Sequence, residues 1–220
     1  MSPRTQPSPR DGFGRAWLWL AALCGVGVIA FYAWRSSGAV SELGPVGPGN
    51  AYYNLQVDGF RRGQLSLSLP APAELQRLPD PYDPATNAPF RKFSFAEGRL
   101  HDLSYYDGKL YLYFSPVPAL LVFWPYHAVT GRYLDHASAV AIFASLGFLV
   151  SAALLFGVWR RYFQRLSGGS YVVAVLLLGF ASGVPVMLAR PDVWEVPISC
   201  AFALTMLALG AIWLGLHDPS

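Results

Sequence analysis

Four long apolar runs interrupt an otherwise mixed chain, and they set the first expectation about its architecture. Residues 16–34, 137–159 and 171–189 contain no Asp, Glu, Lys or Arg, and a fourth run, 193–216, carries only Glu195 near its start. A hydrocarbon core of about 30 Å needs ~20 helical residues to cross it. A backbone in lipid must also satisfy its own hydrogen bonds, which selects helices. The pattern therefore predicts an all-α integral membrane bundle of about four transmembrane helices. No repeat with a period of 20–50 residues interrupts this reading.

Between the first two runs the polar and apolar positions follow other rhythms. Residues 36–50 are rich in Gly, Ser and Pro and read as a linker. In 51–65, Tyr53, Val57 and Phe60 recur at helical spacing, while Asn54, Asp58, Arg61 and Arg62 fall on the other side. That spacing predicts an amphipathic helix on the membrane face, ended by Gly63. Residues 70–89 are proline-rich and read as an irregular extended loop. Asp107-Gly108 stands between two aromatic, alternating segments, a strong signal for a β-hairpin whose two turn residues both have positive φ. Such a hairpin is marginal alone and must pack against something. Residues 110–131 are uncharged but hold Pro116, Pro118 and Pro125. Prolines break or kink helices, so this stretch reads as a short helix at the membrane surface, with Trp124 and Tyr126 at headgroup depth.

Composition agrees with a membrane protein: 54% of residues are hydrophobic and 13% charged, about half the charge of a soluble domain. The net charge of +3 implies no nucleic-acid partner, and its meaning lies in where the arginines fall. Arg4, Arg10 and Arg15 precede the first run, and Arg160, Arg161 and Arg165 separate the second from the third. By the positive-inside rule both groups face the cytosol. The expected organisation is a cytoplasmic basic tail (1–15), a first transmembrane helix (16–34), a long extracytoplasmic loop with interfacial helices and the hairpin (35–135), transmembrane helices 2–4 (136–216) and a cytoplasmic tail (217–220). The expected location is the inner (plasma) membrane, multi-pass, with both termini cytoplasmic. The first run exceeds the ~7–15 apolar residues of a signal peptide, which favours an uncleaved anchor. Cys24 and Cys200 both fall in apolar runs and read as packing residues.

The ordered set of segments "AYYNLQVDGFRRGQLSL", "HDLSYYDGKLYLYFSPVPALLVFWPYHAVTG" and "ARPDVWEVPISCAF" resembles the C superfamily of membrane glycosyltransferases, which includes dolichyl-phosphate-mannose mannosyltransferase-like bacterial membrane proteins. The likeness covers most of residues 16–216. It implies a polyprenyl-phosphate-linked sugar as donor, membrane lipid as a partner, and an acidic residue of the first outer loop as base or as ligand to a divalent metal, leaving the cofactor itself unknown. Two departures stand against the pattern. The acidic residue of the superfamily sits at the start of the loop helix, where this chain has Gly49-Asn50, with Glu42 upstream. The superfamily also has more than four spans, so the resemblance implies an amino-terminal portion or a shortened relative.

The chemistry then selects candidates. An acceptor hydroxyl loses a proton as it attacks an anomeric carbon, and a carboxylate can take it; Asp58 and Asp102 are the candidate catalytic acids. A phosphate leaving group needs a cation, and Arg190 and Lys109 are the candidate donor-phosphate ligands. Asp192, Glu195 and His101 are supporting candidates. Each has a plainer reading: Asp58 pairs with Arg61 or Arg62 on the helix surface, Lys109 merely follows a turn, His101-Asp102 is structural, and Asp192 with Glu195 caps a helix. Gly179, Gly183 and Pro185 read as helix packing and a kink. The competing functional class is a noncatalytic multi-span module: a shortened homologue, a scaffold or an assembly partner. A transporter fits less well, because no charge lies deep in a span.

Overall fold

A computed structural model describes residues 14–38, 51–91 and 102–217. In chain order these form α1 (Arg15–Ser37), α2 (Tyr52–Arg61), the one-turn helices α3 (Ala73–Gln76) and α4 (Ala88–Arg91), strands β1 (Leu103–Tyr106) and β2 (Lys109–Leu112), α5 (Ala119–Thr130), α6 (His136–Tyr162), α7 (Gly168–Phe180), α8 (Val184–Met187) and α9 (Glu195–His217). The fold is mostly helical with one small sheet. Four stretches are long and apolar enough to cross a membrane: α1, α6, α7 with α8 counted through Met187, and α9. Their bounds match the four apolar runs to within a few residues. α5, with twelve residues, is apolar but shorter.

The chain divides into two compact units. One comprises Met1–Gly38, Ala141–Ala189 and Ser199–Ser220; the other comprises Ala39–Val140 and Arg190–Ile198.

In the first unit, apolar helices pack through small residues. Gly179 of α7 lies so close to α1 that a Cβ there would meet the Val28 side chain at 2.7 Å. The Tyr32 hydroxyl donates to the Gly179 carbonyl at 2.8 Å, and the Phe31 and Phe180 rings meet edge-on at 5.1 Å. Small residues let backbones approach where no hydrophobic drive separates protein from lipid. Gly147 and Gly157 of α6 similarly admit the rings of Phe202 and Trp213 from α9. The third apolar run is not one helix. It stops at Phe180 and restarts at Val184, with Pro185 in the first turn of α8, as the missing proline N–H requires. Cys24 and Cys200 are both free.

The second unit is built around α2, and here the sequence pattern misleads. Expected to lie on a surface, α2 is enclosed: Tyr52, Tyr53, Asn54, Gln56, Val57 and Gly59 are all buried. Its aromatic face meets α5 rather than lipid, with Tyr53 stacked on Phe123 at 5.1 Å and Phe60 6.1 Å from Trp124. The opposite face is enclosed too, since the Asn54 amide donates to the Leu134 carbonyl at 2.7 Å. Of the four polar residues expected outside, only Arg61 and Arg62 are exposed. On the third side the chain doubles back: a Cβ on Gly59 would stand 2.1 Å from the Ser66 carbonyl oxygen, and Ser68 N–H donates to the Leu55 carbonyl.

The hairpin forms as the Asp-Gly pair predicts. β1 and β2 pair antiparallel with Tyr106 opposite Lys109, and φ is +45° at Asp107 and +72° at Gly108. Its support comes from the segment after α2, through the Leu67 N–H bond to the Leu110 carbonyl and a bridge from Pro70 to Lys109. The proline-rich 70–89 stretch is less extended than expected, because it contains α3 and begins α4. Side chains of Asp80 and Asp83 cap the tight turns between them by accepting the N–H groups of Tyr82 and Ala85, each at 2.9 Å.

Candidate functional site

The second unit holds Asp58, Asp102, Lys109, Arg190, Asp192 and Glu195, and its geometry assigns each a setting. His101 lies outside the described residues, as do Glu42, Gly49 and Asn50.

Asp58 sits near the end of α2 with only 16% of its side chain exposed. Tyr133, in the turn before α6, donates its hydroxyl to Asp58 Oδ2 at 2.7 Å, while Arg61 lies 3.6 Å from Oδ1. The expected pairing with Arg61 is therefore present, though not on an open surface. The facing carboxylate raises the Tyr133 phenol above its ordinary value, first through this hydrogen bond and then through burial and charge. Arg61 also reaches His127 Nε2 at 2.8 Å, and the His127 and Tyr133 rings stack at 4.9 Å. Arginine cannot accept, so His127 Nε2 is the acceptor here, and its Nδ1 faces the Arg132 carbonyl at 3.2 Å.

Asp102 stands just ahead of β1 with φ of +52°, a left-handed conformation uncommon outside glycine. β1 begins only after it, at Leu103. Its carboxylate accepts the indole N–H of Trp194. Lys109 is exposed beside the hairpin turn.

Arg190, Asp192 and Glu195 form the approach to α9. Glu195 Oε2 accepts the Asp192 backbone N–H at 3.0 Å, the reach-back half of a capping box. Glu195 Oε1 receives Arg190 at 3.2 Å. Asp192 and Glu195 are buried, whereas the Arg190 side chain remains 47% exposed and lies over the Trp194 ring at 5.7 Å. The guanidinium is thus held on one edge and by its face.

Three participants escaped the sequence reading. Trp194 joins Asp102 to the Arg190 cluster, Tyr133 holds Asp58, and His136 meets Tyr53 and Phe123 edge-on at 5.8 and 6.2 Å. His136 Nε2 and Gln56 Oε1 are shielded from solvent with no hydrogen-bond partner among the described residues. Buried polar atoms are normally satisfied, which makes these two exceptions within the second unit. Trp194 alone had a local signal, lying between the two acids of the cap. Tyr133 finds Asp58, and His136 finds Tyr53, about eighty residues upstream, which no local pattern announces.

Among the described residues no three His, Cys, Asp or Glu side chains converge to hold a metal ion. In the first unit, an apolar groove of about 440 Å³ runs between α1, α6 and α7. The Tyr171 hydroxyl in its wall donates to the Ala152 carbonyl, so the groove offers hydrocarbon contacts and little else. No protein-family model, curated protein or solved structure matches this chain.

Proposed function

We propose that the chain is a membrane glycosyltransferase-like protein that takes its sugar from a polyprenyl-phosphate donor at the outer face of the plasma membrane. The observation that carries this reading is the content of the second unit, where two positioned carboxylates and one clamped, half-exposed guanidinium occur together. In the proposed step the acceptor hydroxyl gives its proton to Asp58 or Asp102 as its oxygen bonds the anomeric carbon. The bond from that carbon to phosphate oxygen breaks, and polyprenyl phosphate leaves with the electron pair. Arg190 meets the phosphate charge through a planar donor fork, and Lys109 supplements it. The topology proposed with this reading puts both termini in the cytosol, beside Arg15 at one end of α1 and Arg160, Arg161 and Arg165 between α6 and α7.

A second reading, a noncatalytic membrane module, is favoured by a separate observation. Each acid has a structural partner: Asp58 has Tyr133, Asp102 has Trp194, and Asp192 with Glu195 builds the start of α9.

The two readings part on one experiment. Purified chain in nanodiscs is titrated with an undecaprenyl-phosphate-linked sugar, and transfer to acceptor is then measured. Arg190→Lys should weaken donor binding about tenfold, roughly 1.4 kcal/mol, because the charge stays while the bidentate fork is lost. Asn at the true base, Asp58 or Asp102, should keep donor binding and lose turnover. Donor binding unchanged by all three substitutions leaves the noncatalytic module.

A further inference from the structure

We infer that α5 lies flat in the lipid headgroup layer, with one whole side immersed among acyl chains and a rim of arginines at anionic headgroups. This surface goes beyond the sugar-transfer reading and stands without it.

The inference starts from which residues α5 leaves uncovered. Ala119 and Phe123 are buried, and Val122, Tyr126 and His127 are partly covered. Leu120, Leu121, Trp124, Pro125, Ala128 and Val129 are exposed. The element opens on a π-helical turn, Ala119–Phe123, and continues as α-helix through Thr130; these six fall on one continuous side of it, and none carries a charge or a hydroxyl. The remaining exposed residue, Thr130, turns its hydroxyl back to the Tyr126 carbonyl at 2.8 Å. A helix facing water carries charged or polar residues on its outer side, and here there are none. Val129 is 86% exposed and Leu121 49%, so the described residues leave this face uncovered.

Chain connectivity identifies that material. Only residues 131–135 separate α5 from α6, a helix apolar and long enough to span a bilayer. α5 is therefore tethered at the membrane, yet at ~1.5 Å per residue its twelve residues reach roughly 18 Å, well short of the ~30 Å core. It cannot cross and must lie along the boundary. Charge complements the placement. Arg61 reaches His127 at the covered edge of α5; Arg62, next to Arg61, and Arg132, two residues past α5, are both exposed. An apolar face bordered by arginines is the form that binds anionic lipid surfaces. Because Tyr53 and Phe60 of α2 pack directly on Phe123 and Trp124, α5 in turn becomes the floor beneath α2.

The test uses the full chain lacking Cys24 and Cys200, with single cysteines at Leu121, Val129 or, as control, Tyr106 on the hairpin. Each carries a nitroxide label, in nanodiscs of phosphatidylcholine with 0 or 30% phosphatidylglycerol. Labels at Leu121 and Val129 should collide several-fold more with oxygen than with an aqueous nickel chelate, and the label at Tyr106 should do the reverse. Adding phosphatidylglycerol should increase the contrast, and Arg62→Gln with Arg132→Gln should abolish that increase. Chelate access at Leu121 equal to that at Tyr106 overturns the inference. Shielding of Leu121 from both probes, with cross-linking to a second copy or another protein, overturns it in favour of a protein partner.

Discussion

Ionising Tyr133 would set a phenolate against the Asp58 carboxylate, 2.7 Å away in the hydrogen-bonded state. The folded phenol therefore titrates above the ordinary value of 10.0. For a group raised on folding, the stabilisation is fully present below the unfolded value and is lost as pH rises through the folded one. Thermal stability should accordingly fall above about pH 10, and Tyr133→Phe should flatten that fall while costing about 1 kcal/mol near neutrality. Melting curves from pH 8 to 11.5 test this; equal slopes in both proteins would remove Tyr133 from the account. At this scale the sequence was only partly informative. Asp58 and Arg61 are three residues apart and their pairing was legible. That Asn54 and Asp58 are covered was not, because the groups covering them belong to Leu134 and Tyr133.

Short-range rules did best for elements. The Asp107-Gly108 turn needs positive φ at both positions, and both have it. Gly108→Val should destabilise the hairpin by about 1 kcal/mol or more, since a β-branched residue is a genuine outlier there. Amide exchange at Lys109 and Tyr111, whose N–H groups face β1 in this register, reports it directly, and unchanged protection would mean the turn tolerates a side chain. Pro185 marked a kink in the third apolar run, and the chain there interrupts the helix between Phe180 and Val184. α2 shows where such rules fail. Its Tyr53–Val57–Phe60 stripe marks an apolar face, but helical periodicity does not say whether lipid or protein covers it. Aromatic contact with α5 decided for protein.

For the whole molecule, the proposed topology makes a direct prediction. In a background lacking Cys24 and Cys200, a cysteine at Ser68 should react with an impermeant thiol reagent in intact cells, while cysteines at Ser167 and Ser220 should not. Reaction at Ser167 would invert α6 and α7 and overturn the orientation. The four membrane-length helices and the hairpin were determined by sequence alone, because each depends on hydropathy over ~20 adjacent residues or on the backbone limits of one or two. The enclosure of α2, the left-handed backbone of Asp102 with its Trp194 partner, and the setting of Asp58 were decided only by tertiary structure. Buried polar groups are normally partnered, and the partners of Asn54, Asp58 and Asp102 lie about 75 to 92 positions away in the chain. Only folding brings such pairs together, so no local sequence pattern could have announced them.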